Sequence, residues 1–185
     1  MSKWIVDPDH SVAAFSIRHM MIADVHGQFN KIAGTIYFDP AHISDSKVEV
    51  TFDASSIVTG IEKRDEHLKS ADFLDTAKHP VISFKSSRIE AANGNRARVI
   101  GDITLHGVTK QVNLEAEFFG PVKDPFGGGL TMGFSTSALL NREDYGIVWN
   151  QPMEDNGIMV GREIRLIINL ISRWAYIKRP LRRCG

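Results

Sequence analysis

The sequence has one cysteine and no long apolar run. With only Cys184 among 185 residues, no disulfide can form within the chain. No window approaches the roughly 18 consecutive apolar residues of a membrane-spanning helix, so none is expected. The first residues also lack the apolar stretch of a secretory signal. This predicts a cytoplasmic protein, or a periplasmic one if a leader has been removed.

The chain also lacks net charge, because Lys and Arg number 22 and Asp and Glu number 22. Without a basic field, the molecule is not expected to bind nucleic acid. The exception is the C-terminus, where four basic residues and no acidic residue lie between positions 178 and 185. We predict that residues 1–175 form a single domain and that residues 176–185 form a disordered basic tail. Transient contact of this tail with an anionic membrane surface is the alternative.

Motifs of catalysis and metal binding are missing as well. No G-x-S-x-G is present, and the glycines at 127–129 are not followed by the Lys-Ser/Thr of a phosphate-binding loop. The seven histidines form none of the spacings that bring two imidazoles to one metal ion. We therefore predict no catalytic residue, no metal and no required cofactor. A metal site assembled from distant segments of the chain stays open.

An enzyme that acts on a bound lipid remains an alternative. It would use His10, His19 and a carboxylate from residues 64–75 for acid–base chemistry. The candidate carboxylates are Glu66, Asp72 and Asp75. Their simpler role is to stay in solvent and pair with nearby lysines and arginines at helical spacing.

Alternation of apolar and polar residues with a period of two is the main positive signal. In residues 46–54, for example, Val48, Val50 and Phe52 lie on one face and charged or polar residues on the other. Such patterns predict eight strands, at 11–19, 28–38, 46–54, 81–87, 96–106, 111–118, 130–139 and 158–172, plus a short strand at 4–6. Most connections are short, so neighbouring strands should be antiparallel. Eight such strands can close into a barrel that holds a small ligand, while a two-sheet sandwich fits the same pattern.

One segment departs from the alternation. Residues 59–74 are rich in Glu, Lys, Leu and Ala, which predicts a helix between the third and fourth strands. Thr59 and Glu62 have the spacing of a capping box. Two long segments, 120–129 and 141–157, are predicted as loops, and either could cover the end of a barrel.

The inward face of the predicted strands collects large apolar side chains. A filled core is the simplest interpretation, but the small residues Ala13, Gly34, Gly101 and Ala116 on the same face favour empty space. The predicted ligand-binding residues are Phe15, Ile17, His19, Ile36, Phe38, Val50, Phe52, Leu68, Phe73, Phe84, Ile103, Leu105, Phe118, Phe134, Arg142, Trp149, Leu166 and Ile168. Of these, His19 and Arg142 are predicted to contact a polar head group.

Several motifs resemble the YceI-like protein family. They are Asp7-Pro8-Asp9-His10-Ser11 with Phe15-Ser16-Ile17-Arg18-His19, Gly27-Gln28-Phe29, the block from Arg64 to Asp75 with Pro80-Val81-Ile82-Ser83-Phe84, Gly101 to Thr109, and Asn141-Arg142-Glu143-Asp144-Tyr145-Gly146. The resemblance extends over residues 3–172. It implies a lipocalin-like, eight-stranded antiparallel barrel with one helix and a pocket for polyisoprenoids or similar long-chain amphiphiles.

Three functional hypotheses follow. In the first, the barrel binds a long apolar amphiphile, such as a polyisoprenoid, the tail of an isoprenoid quinone or a fatty-acid-like lipid, as a carrier or storage protein. In the second, a dry-cored barrel acts through protein contacts, with a homodimer as one form. The third is the enzyme acting on a bound lipid.

Overall fold

A computed structural model describes residues 1–125, 129–154 and 157–175. These residues form eleven strands and one α-helix. The strands are β1 (Ser2–Val6), β2 (Val12–His19), β3 (Ala23–Phe29), β4 (Ile32–Phe38), β5 (Lys47–Asp53), β6 (Ile57–Val58), β7 (Val81–Ala91), β8 (Arg96–Leu105), β9 (Val108–Lys123), β10 (Leu130–Asn141) and β11 (Val160–Trp174), and the helix α1 is Glu62–Lys69. The predicted tail, 176–185, lies outside the described residues.

The strands close into an eight-stranded antiparallel barrel, as predicted. The ring runs β1-β4-β5-β7-β8-β9-β10-β11 and returns to β1. Strand β11 is long enough to pair with two partners. It meets β1 at Val6 and Ser172, and it meets β2 at Ala13 and Ile168. Strands β1 and β2 therefore form one wall of the barrel, interrupted by a short 3-10 helix at Pro8–His10.

Asp7 holds this interruption in place. Its carboxylate accepts the backbone N–H of Asp9 at 3.1 Å and contacts Nδ1 of His10 at 3.0 Å. The guanidinium of Arg173 lies 2.7 Å from the same carboxylate. Because Arg173 is near the end of β11, these bonds join the break between β1 and β2 to the strand that closes the barrel.

The strand predicted at 28–38 is divided in the structure. Strand β3 ends at Phe29 and β4 begins at Ile32, with Asn30 and Lys31 between them. Phe29 and Ile32 both face the interior, although an unbroken strand would place residues three apart on opposite faces. The alternation fails here because the backbone bends at the two polar residues.

The helix is shorter than predicted, and the predicted capping box is wrong. Helix α1 begins at Glu62, and Ile61 occupies the N-cap position without a side-chain hydrogen bond. Thr59 lies before the helix, because Gly60 has a φ of +85° and turns the chain. The N–H and Oγ of Thr59 instead donate to the buried carboxylate of Asp65, at 2.8 and 2.5 Å.

Part of the predicted loop at 120–129 is strand. Strand β9 continues to Lys123, where it pairs with Leu130 of β10, and Val122 pairs with Thr131. The pairing resumes beyond a register shift between Thr131 and Gly133. Cross-strand hydrogen bonding with β10 thus overrides the weak local preference of a sequence that contains Gly120 and Pro121. No helix in the described ranges is long and apolar enough to cross a membrane.

Candidate ligand-binding cavity

The barrel encloses a cavity of about 220 Å³. The walls come from the inward faces of the strands, and Leu68 of α1 lines it as well. All but four of the lining side chains are apolar, and the exceptions are Ser83, Ser135, Thr136 and Arg142. No described histidine or carboxylate lines it. A space of this composition suits an apolar ligand with little need for polar contacts.

A row of mostly small residues across the strands accounts for the empty space. Ala97 on β8 pairs with Ala116 on β9, which pairs with Thr136 on β10. Thr136 pairs in turn with Ile168 on β11, and Ile168 pairs with Ala13 on β2. Four members of this row line the cavity, and three of them, Ala13, Ala116 and Thr136, are small. Because the small side chains lie at one level, the interior is not filled there.

The two inward glycines do not add to this space, contrary to the prediction. A Cβ atom on Gly34 would lie 2.8 Å from the carbonyl oxygen of Glu49. One on Gly101 would lie 2.5 Å from the carbonyl oxygen of Lys85 and 2.7 Å from Cζ of Phe84. Neighbouring atoms already occupy the volume that each glycine leaves. The two alanines of the prediction, Ala13 and Ala116, do line the cavity.

The segment after α1 covers one end of the cavity. Phe73 and Leu74 line it, together with Ile57 and Ile147. Behind this layer, the ring of Trp149 lies 5.1 Å from that of Phe73. The cover therefore comes from the connection between β6 and β7 and from the segment after Tyr145, whereas none of residues 120–125 lines the cavity.

Aromatic rings fill the opposite end. Phe38 lies 4.9 Å from Phe118 and 5.5 Å from Phe134, measured between ring centroids. The N–H of Phe118 donates to the carbonyl oxygen of Asn95, which precedes the first residue of β8. The last residue of β8, Leu105, lies at the covered end, so Phe118 lies at the other end of the barrel. The cavity thus lies between a layer of packed aromatic rings and the cover.

Most of the predicted ligand-binding residues lie on the cavity wall. Fourteen of the eighteen line it, namely Phe15, Ile17, Ile36, Val50, Phe52, Leu68, Phe73, Phe84, Ile103, Leu105, Phe134, Arg142, Leu166 and Ile168. The other four do not. Phe38, Phe118 and Trp149 pack behind lining residues, and His19 lies at the end of β2. Contact of any of the eighteen with a ligand remains a prediction.

Lining residues of three kinds are absent from the predicted set. Leu114, Ile164 and others share a strand face with inward residues, so extending the alternation would have found them. Ile57, Leu74 and Ile147 lie on short or irregular segments, where no periodicity marks the inward direction. Phe29 was hidden by the break between β3 and β4.

Arg142 is buried, with 1% of its surface exposed, and its guanidinium donates hydrogen bonds to four backbone carbonyl oxygens. Its Nε donates to the carbonyl oxygen of Gly161 at 2.8 Å, and Nη1 donates to the carbonyl oxygens of Ile147 at 2.7 Å and Trp149 at 2.9 Å. Nη2 donates to the carbonyl oxygen of Val160 at 3.2 Å. Four of its five N–H groups are therefore used, and burial lowers the pKa of its guanidinium. The side chain joins the segment after β10 to the start of β11, and at most one N–H remains for a head group.

The side chains that an enzyme acting on a bound lipid would use lie outside the cavity wall. His10 contacts Asp7, and the carboxylates of Glu66, Asp72 and Asp75 contact Lys69, His67 and Lys78 respectively, each at 2.9 Å. None of these residues lines the cavity. The described cavity wall therefore brings together no acid–base pair.

A sequence model of the YceI-like domain matches residues 4–171. The chain belongs to this family. A relative from Pseudomonas savastanoi pv. phaseolicola, described as a UPF0312 protein, is 39% identical over 146 residues, which are 78% of this chain and 76% of the relative. The YceI-like match thus covers all of the barrel strands except the outer ends of β1 and β11.

Solved structures have the same fold. BcnA of Burkholderia cenocepacia superimposes with a TM-score of 0.79 over 90% of this chain and 98% of BcnA, at 22% identity. A polyisoprenoid-binding domain from Saccharophagus degradans, implicated in plant cell wall breakdown, superimposes with a TM-score of 0.69 over 95% of this chain and all of that domain, at 14% identity. At these identities the likeness concerns the fold of the YceI-like barrel.

Proposed function

We propose that the barrel binds the tail of a long apolar amphiphile, of the polyisoprenoid or isoprenoid quinone class, as a carrier or storage protein. The observation that carries this proposal is the enclosed cavity, whose wall is apolar at all but four side chains. The polyisoprenoid-binding domain of S. degradans, which shares the fold, supports the ligand class.

The tail supplies most of the affinity in this proposal. Burial of each CH₂ group contributes about 0.8 kcal/mol, so ten groups contribute about 8 kcal/mol before the cost of association. Polar contacts are few, since four N–H groups of Arg142 already bind carbonyls. Ligands with the same tail and different head groups should therefore bind with similar affinity.

The test combines extraction with a substitution that fills the cavity. The purified protein is extracted with organic solvent and the extract is analysed by mass spectrometry, and the emptied protein is then titrated with a polyprenol. Ala116→Leu places three more carbon atoms in the row of small residues, and we expect it to weaken polyprenol binding at least tenfold. Ala33→Leu is the matched control, because Ala33 is exposed on β4.

Two results would contradict the proposal. One is a wild-type protein that yields no long-chain lipid on extraction and takes up none when it is offered. The other is equal polyprenol affinity in Ala116→Leu, Ala33→Leu and the wild type, with all three folded by circular dichroism, since binding would then occur outside the cavity.

A further inference from the structure

Three side chains with metal-binding atoms meet at the covered end of the barrel. Asp75 lies in the connection between α1 and β7, His79 lies two residues before β7, and His106 lies in the turn between β8 and β9. One ligand atom from each residue lies within 4.8 Å of those of the other two. A point therefore exists that lies within about 2.8 Å of all three atoms, since 4.8 Å divided by √3 is the largest radius of a circle that encloses them.

One ring nitrogen of His106 is held by a backbone carbonyl. Its Nδ1 lies 3.0 Å from the carbonyl oxygen of Tyr145. A carbonyl only accepts, so this bond places the proton of a neutral imidazole on Nδ1 and leaves Nε2 with a free lone pair. Metal-binding histidines in proteins commonly have one ring nitrogen held by a carbonyl in this way.

The ring of His79 can lie beside His106 because residue 107 is a glycine. Its ring lies over Gly107, where a Cβ atom would be 2.6 Å from Cε1 of the ring. Gly107 also has a φ of +74°, which favours glycine. The two imidazole rings meet edge to face with centroids 4.8 Å apart. The turn between β8 and β9 thus brings a second imidazole beside the first.

Asp75 supplies the negative charge. The residue is 9% exposed, and its Oδ2 accepts a hydrogen bond from Lys78 at 2.9 Å. This bond pairs the carboxylate with a positively charged group. The side chain of Lys78 is 73% exposed and is free to move into solvent when a cation takes its place.

We propose that Asp75, His79 and His106 form a binding site for a divalent transition-metal ion of the zinc class. Two imidazole nitrogens and one carboxylate oxygen are ligands that zinc binds at about 2.0–2.2 Å, with water in the fourth position. Each ligand atom then moves inward by less than about 1 Å, which side-chain rotation can supply. The site lies outside the cavity, and the proposal is independent of lipid binding.

The location gives such an ion a structural consequence. Asp75 follows Leu74, and His106 follows Leu105, and both leucines line the cavity. An ion bound here would join the cover of the cavity to the turn between β8 and β9. Bound metal should therefore stabilise the connection between α1 and β7.

The test is direct titration of the whole metal-free protein with Zn²⁺ by isothermal calorimetry, at mildly alkaline pH because protonated imidazole does not bind metal. A Cys184→Ser background removes the single thiol as a competing ligand. We expect one equivalent of Zn²⁺ per chain and an increase in melting temperature. His79→Gln and His106→Asn should each weaken the affinity at least tenfold. Asn is chosen at position 106 because His106 has a φ of +51°, which Asn tolerates.

Two controls distinguish this site from adventitious binding. His67→Gln disrupts the exposed pair of His67 and Asp72, and His26→Gln removes an exposed histidine of β3. Both controls should bind Zn²⁺ like the parent. If the wild type binds less than a fifth of an equivalent, or if the controls lose as much affinity as His79→Gln and His106→Asn, the proposal is wrong. Visible spectra of the Co²⁺-loaded protein provide a second readout of imidazole coordination.

Discussion

Arg142 illustrates how a charged residue is accommodated in the wall of an apolar cavity. A buried guanidinium is costly unless its N–H groups are bound, and here four carbonyl oxygens accept them. The planar fork of arginine suits this arrangement, because it presents donors in several directions at once. Arg142 therefore positions the segment between β10 and β11, and its contact with a head group stays a prediction.

Replacement of Arg142 by lysine distinguishes these two roles. A lysine keeps the charge, but its single ammonium cannot reach the carbonyls of Ile147, Trp149 and Gly161 together. We expect Arg142→Lys to lower the free energy of unfolding by about 2–4 kcal/mol, measured by urea denaturation. Arg162→Lys, an exposed neighbour paired with Glu143, is the control and should stay within about 0.5 kcal/mol of the wild type. An Arg142→Lys protein of unchanged stability would contradict the positioning role.

At the scale of elements, the connection between β6 and β7 is held by polar bonds at its start and by apolar contacts at its end. Asp65 accepts two hydrogen bonds from Thr59, and Arg64 donates to the carbonyl of Thr59 at 2.9 Å. Phe73 and Leu74 then line the cavity. The short helix α1 thus positions the cover and contributes only Leu68 to the cavity wall.

Removal of the Asp65 carboxylate should loosen this cover. In Asp65→Ala the N–H of Thr59 loses its acceptor in a partly buried position, and we expect a loss of about 1–3 kcal/mol in the free energy of unfolding. Hydrogen exchange should increase over residues 59–75 and remain unchanged in β9 and β10. Glu66→Ala, on the exposed side of the same helix, should change stability by less than about 0.5 kcal/mol. Equal exchange in both variants would show that Asp65 does not hold the cover.

On the scale of the whole molecule, the barrel is closed at one end by packed aromatic rings and at the other by a cover of side chains. The cavity of about 220 Å³ is somewhat smaller than the roughly 300–1,000 Å³ of common small-molecule pockets. In the proposed function, a long tail would fill the cavity with part of its length, and the remainder would extend beyond it.

A series of linear alcohols should measure this limit. Affinity should rise about fourfold for each added CH₂ while the cavity fills, and should then level off at a defined chain length. Trp149, packed on the lining residue Phe73, offers a fluorescence signal for the titration. In Ala116→Leu the plateau should move to shorter chains. Affinity that rises through the whole series without a plateau would indicate a surface site instead.

The predictability of this fold and cavity differs from one segment to another. Most of the strands and most of the wall follow from alternation, because every strand of a closed barrel has one face buried. The resemblance to the YceI-like family indicated a barrel rather than a two-sheet sandwich. Alternation failed at Asn30 and Lys31, where a bend turns Phe29 and Ile32 to the same side. It could not indicate Ile57, Leu74 and Ile147, because irregular backbone has no fixed period.

The amino-acid sequence by itself determined that this protein is built of antiparallel strands with large apolar residues on one face, and its resemblance to the YceI-like family indicated the barrel. Only the tertiary structure decided which small residues leave space. Neighbouring atoms occupy the space beside Gly34 and Gly101. The strand register instead places Ala13, Ala116 and Thr136 in one row, where space remains. The meeting of Asp75, His79 and His106 depends likewise on contacts between separate segments. Alternation along a strand indicates which way a side chain points. A cavity or a cluster of metal-binding side chains depends also on which residues of other segments lie opposite it.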